Sequence, residues 1–244
     1  ILPVDGGEAR PLTDFALDLD DPVWSPDGRY IAVTARVHPE CGADSRCNAE
    51  AQAARRASPF RVHVADDRQF RHWSEWRDGR YSHILLVEAA TGRVVRDLTP
   101  GFQDSPGPSL STRAGYAFSP DGKEICYTTK TAHEAELSTD ANLWIAPVDP
   151  DTGAAARCLT CGNPGWDGDP AYSPDGRAIA FRSQAEAGHE ADLFRLAMYD
   201  RETGEVRYLT DRKRFDNWVT AFSWLQDSRG IIFAYERREY QDRY

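Results

Sequence analysis

Loops rich in tryptophan, histidine and acidic residues hold the side chains best suited to chemistry. The densest run reads Arg71-His72-Trp73-Ser74-Glu75-Trp76. Such a run can form an aromatic wall for a bound molecule, or its tryptophans can fix a long loop to the rest of the fold. Two other loops each place a glutamate directly after a histidine, as His133-Glu134 and His189-Glu190. These pairs occupy equivalent positions in consecutive repeats, so they are either ligand-binding pairs or a product of shared ancestry.

The five cysteines form two close pairs and one isolated residue. Four ligands in two pairs could hold zinc, but the spacings match no ordinary zinc module, and we predict no metal site. A redox Cys-x-x-Cys motif would need a strand-to-helix context, which is missing. We predict local disulfides Cys41–Cys47 and Cys158–Cys161, with Cys126 buried and free. Disulfides favour a periplasmic or secreted location, and a cytoplasmic chain with five thiols is the alternative.

The composition excludes several classes of function. The chain has 244 residues, with 29 Lys and Arg against 39 Asp and Glu and a formal net charge of −10. No stretch gathers the basic cluster that phosphate backbones require, so no nucleic acid partner is expected. Uncharged apolar stretches fall far short of the roughly 20 residues that span a bilayer, so no membrane contact is expected. No cofactor is predicted, and because the chain begins with Ile1 and has one methionine, we expect processing or truncation.

Four copies of one turn motif determine the fold class. Ser-Pro-Asp-Gly occurs at 25–28, 119–122 and 173–176, and a degenerate copy occurs at 225–230. Proline presets φ, aspartate bonds back to the backbone and glycine accepts the left-handed conformation, so each copy predicts a tight hairpin. The flanking residues are β-branched and aromatic, as is typical of strands.

A second marker alternates with these turns. Leu-Thr pairs stand at 12–13, 98–99, 159–160 and 209–210, and a glycine turn precedes each pair. Each repeat therefore reads as four antiparallel strands in a meander, with a period of about 50 residues. The sequence predicts an all-β fold, a β-propeller of four-stranded WD40-like or TolB-like blades.

The repeat count predicts about three complete blades and two partial ones. We place a partial blade at 1–20, complete blades at 21–99, 100–160 and 161–210, and a partial blade at 211–244. The first complete blade carries an insertion at about 36–80, in which residues 48–57 favour a short surface helix. Such ends fit either a small closed four-bladed ring or an arc of a larger ring.

Strand parity separates the loops into two faces. The Ser-Pro-Asp-Gly and Thr-Gly turns share one face and are short and uniform, which indicates a structural role. The opposite face receives the long, variable loops, and there we expect a ligand or a partner domain to bind. These loops are 71–76, 131–135, 165–167, 188–192 and 216–218.

With these motifs, the chain resembles the N-terminal β-propeller of the prolyl oligopeptidase family of serine peptidases, and more narrowly the dipeptidyl peptidase V and acylaminoacyl-peptidase branch. TolB-type propellers share the Ser-Pro-Asp-Gly turns, so other motifs are more specific. These are 71–79 with 82–85, Asn163, Trp166-Asp167, Asp169-Pro170, 172–176, 190–192 and Tyr199-Asp200. Two departures are Ser74, where the branch has Asp, and 215–218, where it tends to have Trp-Asp-Arg-Ser.

The resemblance implies a non-catalytic propeller that gates and partly lines the cavity of a peptidase. In that family a C-terminal α/β-hydrolase domain carries the Ser-Asp-His triad, with the serine in a Gly-x-Ser-x-Gly elbow. This chain contains no such pentapeptide, so no catalytic residue is assigned to it and its expected partner is a hydrolase domain of the same protein. Family rings have seven or eight blades, which favours the arc.

The resemblance also implies short peptides as substrates, whose charged ends need partners. Glu75 or Glu190 would receive an amino terminus, and Arg71 would receive a carboxyl group. We assign His72 and Trp73 to the same substrate-binding region. A homo-oligomer is compatible with the sequence.

Two rival functions differ in class. A free-standing TolB-like propeller would bind a partner protein on the same loop-rich face. An enzyme with its site in the propeller channel, such as a metal-dependent lactonase, needs carboxylate and Asn ligands on the inner strands. None is identified around Val23, Tyr116, Ala171 and Phe222.

Overall fold

The computed structural model describes residues 1–60, 62–64, 71–72, 74–107, 114–131 and 135–236. The chain divides into two compact units, Ile1–Leu110 and Ser111–Tyr244. Both units are built mainly from antiparallel strands. Among the described residues, no helix is long and apolar enough to cross a membrane.

The first unit consists of one four-stranded sheet with an insertion. Its elements are β1 (Asp20–Trp24), β2 (Tyr30–Val37), α1 (Ser45–Ala57), β3 (Arg71–His72), β4 (Glu75–Trp76), β5 (Tyr81–Glu88) and β6 (Val94–Asp97). The sheet has the order β1-β2-β5-β6, and β3 and β4 form a separate hairpin. The insertion between β2 and β5 therefore holds both α1 and this hairpin.

The second unit contains two four-stranded sheets and a two-stranded one. Its strands are β7 (Tyr116–Phe118), β8 (Glu124–Thr129), β9 (Asn142–Pro147), β10 (Arg157–Cys158), β11 (Asp167–Tyr172), β12 (Ala178–Ser183), β13 (Arg195–Asp200), β14 (Val206–Tyr208), β15 (Trp218–Trp224) and β16 (Ile231–Glu236). The orders are β10-β9-β8-β7, β11-β12-β13-β14 and β15-β16. Three meanders of four strands confirm the predicted all-β fold of propeller blades.

The Ser-Pro-Asp-Gly turns are held by a bonded serine and aspartate. In the copy at 173–176, the Ser173 hydroxyl donates to Asp175 Oδ1 at 2.6 Å and accepts from the Ala178 N–H at 2.9 Å. The Arg177 N–H also donates to Asp175, and Gly176 has φ +71°. The two earlier copies make the same bonds. The aspartate role was predicted, whereas the buried serine that joins both arms of the hairpin was not.

Three of the four Leu-Thr pairs bond to the third strand of their own sheet. The Thr99 hydroxyl accepts from the Ile84 N–H at 2.9 Å, and the Leu98 N–H donates to the Ile84 carbonyl at 2.8 Å. The pairs at 159–160 and 209–210 make equivalent bonds. A threonine side chain thus continues the pairing of the outermost strand after its last regular residue.

Residues 1–19 differ from the prediction. The sequence predicts a partial blade at 1–20, but the fully described segment 1–19 forms no strand. It keeps only a short backbone ladder, in which the Arg10 N–H donates to the Ile1 carbonyl at 2.9 Å. Leu12, Phe15 and Leu17 pack instead on the sheet face of β2 and β5. The Leu-Thr pair at 12–13 lacks the strand partner that the later pairs use, so the local motif alone does not form a sheet.

The third sheet, β11–β14, is covered on both faces. Phe181 and Tyr172 share a core with Leu143 of the second sheet. On the other face, Leu196 packs with Phe222 of β15. Residues placed between these layers are removed from water, which determines the chemistry of the polar groups among them.

The insertion helix agrees with the prediction and begins three residues earlier, at Ser45. Asp44 caps it by accepting from the Cys47 N–H at 3.0 Å. Asn48 is fully buried and accepts from the His38 N–H at 3.0 Å. Its amide donates to the Gly42 carbonyl, so one side chain ties the helix to the end of β2.

The cysteines pair as expected from the sequence. Cys41 is joined to Cys47 with a Cα–Cα distance of 5.4 Å, and Cys158 to Cys161 with 5.9 Å. Cys126 is buried in β8 with a free thiol. Burial raises the pKa of that thiol far above its usual range, so it remains protonated and unreactive.

Candidate functional site

Asp169 lies at the loop-bearing end of β11, inside a backbone bulge. The pairing of β11 with β12 is interrupted between Gly168 and Ala171, and Asp169 has φ +57°. Pro170 follows and has no N–H to offer a ladder, which suits the interruption. Only 4% of Asp169 is exposed. The bulge therefore places a carboxylate in the interior near the start of an inner strand.

Arg182 of β12 is the counterion of this carboxylate. Its Nε and Nη2 both lie 2.5 Å from Asp169 Oδ2. The second oxygen, Oδ1, is buried and has no hydrogen-bond partner among the described residues. Both donors share one carboxylate oxygen, which offsets part of the cost of burying two charges, and removing either partner would leave the other uncompensated.

Aromatic rings enclose the Arg182 guanidinium. Its Cζ lies 4.6 Å from the centre of the Phe194 ring and 5.5 Å from that of Trp166. Phe194 makes edge-to-face contacts with Trp166 at 5.3 Å and with Trp218 at 5.4 Å. We call Trp166, Phe194 and Trp218 the aromatic ladder. Because these residues come from three loops or strand ends, the ladder fixes the loop-bearing end of the unit.

Asp167 is a second buried carboxylate, two residues before Asp169. It is 1% exposed, and its Oδ1 accepts from the Asn163 amide at 2.8 Å. Burial raises the pKa of Asp167 to about 6, against the lowering effect of hydrogen bonds from Ser183, Thr160 and Asn163. This carboxyl group therefore titrates closer to neutrality than an ordinary aspartate.

The loop after β12 is organised by Asp192. Its Oδ2 accepts from the N–H groups of Ala185 and Glu186 at 2.7 and 3.0 Å, and its Oδ1 accepts from Arg212 at 3.0 Å. Burial acts to raise the pKa of Asp192, but these hydrogen bonds outweigh it and hold the pKa below its usual range. The loop is thus fixed by a carboxylate that remains ionised.

Glu190 lies on this loop with an exposed side chain. Its carbonyl accepts from the Gln184 amide at 2.9 Å, so the backbone is held while the carboxylate faces solvent. Burial lowers the pKa of nearby Lys130, and the charge of Glu190 acts in the opposite direction. Glu190 therefore combines a fixed backbone with an accessible negative charge.

The other predicted site residues lie in the first unit. Arg71 is exposed and pairs with Trp76 across the β3–β4 hairpin, and His72 pairs with Glu75. Trp73 and the side chains of His72 and Glu75 lie outside the described part of the chain. Substrate binding by these four residues and by Glu190 stays a prediction.

Sequence reasoning missed the buried charges of β11. It identified no carboxylate on the inner strands, and Asp167 and Asp169 correct that statement for this strand. One sequence pattern could have indicated the bulge that holds Asp169. An Asp-Pro pair stands four residues before the turn serine at both 21–22 and 169–170. No sequence pattern indicates that Arg182 pairs with Asp169, because the register of β11 against β12 brings the two residues together.

Metal ligation finds no support in the described part of the chain. There, no group of three or more His, Cys, Asp or Glu side chains is arranged to hold an ion. The two buried aspartates are instead engaged by an arginine and by neutral donors.

The chain is similar in sequence to known dipeptidyl peptidases, although no family model matches it. Dipeptidyl-peptidase 5 of Porphyromonas gingivalis is 31% identical over 175 residues, covering 70% of this chain and 25% of that protein. Dipeptidyl-peptidase 5 of Porphyromonas endodontalis is 31% identical over 202 residues, covering 80% and 27%. The chain therefore spans about a quarter of the length of these relatives.

Solved structures show the same fold at low sequence identity. Putative TolB from Agrobacterium tumefaciens has a TM-score of 0.53 and 16% identity, covering 89% of this chain and 53% of that one. Acylaminoacyl peptidase from Pyrococcus horikoshii has a TM-score of 0.57 and 12% identity, covering 89% and 28%. Together with the sequence matches, the blades place this chain in the prolyl oligopeptidase family as a β-propeller portion similar to dipeptidyl-peptidase 5.

Proposed function

We propose that this chain is the substrate-gating, non-catalytic propeller portion of a serine peptidase that hydrolyses short peptides in the dipeptidyl- or acylaminoacyl-peptidase manner. The observation that carries the proposal is the 31% identity to dipeptidyl-peptidase 5 over 70% of the chain. Bond cleavage would be performed by an α/β-hydrolase domain of the same protein.

A gate that excludes large substrates needs a rigid rim, and the second unit supplies one. The buried Asp169–Arg182 pair and the aromatic ladder fix the loop-bearing end of β11 and β12. Asp192 holds the adjoining loop through backbone N–H groups. These bonds support a rigid wall that would not rearrange to admit a larger peptide.

Charged side chains in each unit suit the ends of a peptide. In the second unit, Glu190 presents an exposed carboxylate on a fixed backbone, which fits a free amino terminus. In the first unit, Glu75 is the alternative acceptor, and Arg71 would hold a carboxyl group. His72 and Trp73 would line the same region. The two disulfides support a periplasmic or secreted location.

Hydrolysis by the full-length protein tests the proposal. Dipeptidyl 4-nitroanilides with a free amino terminus should be cleaved, and cleavage of their N-acetylated forms instead would assign the acylaminoacyl type. Hydrolysis of neither series refutes the peptidase assignment. Equal kcat/KM for a tetrapeptide and for a folded protein containing the same sequence refutes gating.

The role of Glu190 has its own test. Glu190→Gln should raise KM for the free-amine substrate about 10-fold while changing kcat little, because a charge-assisted hydrogen bond is lost. Glu205→Gln, at an exposed residue beside a Thr-Gly turn, is the matched control. If both variants behave alike, Glu190 does not receive the amino terminus.

The structural similarity to TolB favours one alternative, a propeller that binds a partner protein. It predicts no hydrolysis of either substrate series and a stable complex with a protein partner. The same assay on the full-length protein therefore separates the two functions.

A further inference from the structure

The insertion of the first unit contains a pocket beside the C-terminal end of α1. Its volume is about 550 Å³, within the range of sites for small ligands. Its wall includes Arg55, Arg56 and Arg80, the histidines His38 and His63, and a single carboxylate, Asp78. Basic and imidazole groups therefore predominate in this pocket, although the whole chain has a formal net charge of −10.

The one carboxylate of the pocket is already engaged. Asp78 Oδ1 lies 2.5 Å from Arg55 Nη2 and 2.6 Å from His63 Nδ1. Arg56 and Arg80 form no ion pair with any described residue. The pocket thus has two guanidinium groups whose charge is not matched within it.

The pKa of His38 is consistent with this excess of positive charge. Burial lowers its pKa, Glu40 acts to raise it, and Arg80 and Arg55 lower it further. The imidazole is therefore neutral at pH 7, when it can donate a hydrogen bond without adding charge. Arg80 and Arg55 act on His38 through their charges, so both guanidinium groups lie near this imidazole.

Apolar side chains also line the pocket. Leu17 contributes to the wall, and Phe60 and Val62 are 74% and 63% exposed. The ring of Trp76 stacks on His63 with centroids 4.0 Å apart. A ligand in this pocket would meet cations and apolar surface next to each other.

We propose that this pocket binds the carboxylate of a peptide with an adjacent apolar side chain. Arg56 and Arg80 hold the carboxylate, and Phe60 and Val62 contact the apolar group. The proposal deepens the proposed function and rests on it, because a peptidase that acts on short peptides meets free carboxyl groups. It adds these two arginines to Arg71 as groups that would bind a carboxylate.

A purely structural role explains only part of the arrangement. Arg55 and Arg56 stand in the last turn of α1, where cations interact favourably with the helix dipole. Arg80 belongs to no helix, directly precedes β5 and is half-buried. A half-buried cation without an ion pair is less well solvated than an exposed one, so an anionic ligand would offset that cost.

Calorimetric titration of the full-length protein tests the pocket. The probes are N-acetyl-Ala-Phe and its C-terminal amide, which differ only in the carboxylate. The acid should bind at least 10-fold more tightly than the amide, because the carboxylate gains charge-assisted hydrogen bonds. Arg56→Gln with Arg80→Gln should abolish this difference and leave binding of the amide unchanged.

Arg46→Gln is the matched control. Arg46 lies on the same helix, is 87% exposed and pairs with Glu50 at 2.7 Å, away from the pocket wall. This variant should keep the preference for the acid. A preference for the acid that survives in the double variant overturns the proposal, as does equal binding of acid and amide by the unaltered protein.

Two further arms complete the test. N-acetyl-Glu-Phe-amide identifies the source of the carboxylate: tight binding would mean that an acidic side chain suffices, and weak binding that the peptide terminus is required. If the double variant does not fold, Arg80→Lys keeps the charge but loses the fork, and should weaken binding of the acid several-fold. A retained preference for the acid in a protein that cleaves no dipeptidyl substrate would reject the peptidase function while leaving the pocket intact.

Discussion

Two Asp-Pro bulges, one in each unit, use the same backbone geometry in different surroundings. Asp21 and Asp169 have φ values of +51° and +57°, and each interrupts the pairing of a first strand with a second. Asp21 is exposed and accepts from the Thr34 hydroxyl at 3.3 Å. Asp169 is buried and holds Arg182. One backbone device therefore supports two kinds of polar site.

Neighbouring layers account for the difference. In β1 only Val23 is even partly buried, whereas in β11 every residue except Ala171 is buried. The third sheet has a layer on each face, and the water that would solvate Asp169 is replaced by the Arg182 guanidinium and by aromatic rings. The repeat thus determines where an aspartate stands, and its neighbours determine what it must bind.

Loss of the counterion should separate the two bulges most strongly. Arg182→Met leaves Asp169 as a buried charge without compensation, which costs about 3–5 kcal/mol. Thr34→Val at the equivalent register position removes only a long, partly solvated hydrogen bond and should cost about 1 kcal/mol or less. Native-state hydrogen exchange of the β2 and β12 amides measures both local opening free energies.

A double variant checks the cause of the large effect. Combining Asp169→Leu with Arg182→Met removes both charges and should recover most of the loss. Similar losses for Arg182→Met and Thr34→Val would mean that burial does not distinguish the bulges.

The residue two positions before each bulge aspartate should make the stability of the two sheets depend differently on pH. The third sheet has Asp167 two residues before Asp169, where the first sheet has the apolar Leu19. The folded-state pKa of Asp167 is raised to about 6 from a reference of 3.8, so the folded protein binds more protons in this interval. Stability should therefore fall by about 3 kcal/mol as the pH rises from about 4 to about 6, then level off.

Asp167→Asn should remove this pH dependence, because the variant cannot ionise. The difference in urea midpoint between the variant and the unaltered protein, followed from pH 4 to 7, isolates the contribution of Asp167. Glu205→Gln, at an exposed residue, serves as the control. A difference that stays constant over this range would show that Asp167 does not titrate there.

Local motifs made the strands and turns predictable, whereas the buried charges depend on distant residues. The turn at 173–176 is closed by bonds among residues within six positions, so its sequence contains the information. Asp169 is paired through strand register and enclosed by rings from Phe194 and Trp218, which no local pattern connects. The predicted partial blade at 1–20 was wrong for a related reason. Residues 1–19 carry the Leu-Thr motif but no strand pairs with it.

An added methyl group should distinguish the bulges by their packing. A Cβ at Gly168 would lie 2.2 Å from Trp166 Cζ2, so Gly168→Ala must displace a ring of the aromatic ladder. We expect a loss of about 1–3 kcal/mol from overpacking. Asp20→Ala at the equivalent exposed position should stay within about 0.5 kcal/mol. Hydrogen exchange in β2 and β12 measures the loss of stability in both variants. Equal losses would mean that the two bulges do not differ in packing.

Replacing Asp21 by glycine tests the smallest difference. Glycine accepts φ +51° without strain, and this gain opposes the loss of the 3.3 Å bond from Thr34, so stability should change by about 0.5 kcal/mol or less. Asp169→Gly relieves the same backbone strain but leaves the Arg182 guanidinium without its counterion, so it should be clearly destabilising. Hydrogen exchange in the two sheets compares them directly. Because both variants relieve the same φ, any difference between them measures the side chain alone, and a mild effect of Asp169→Gly would mean that Arg182 finds another partner.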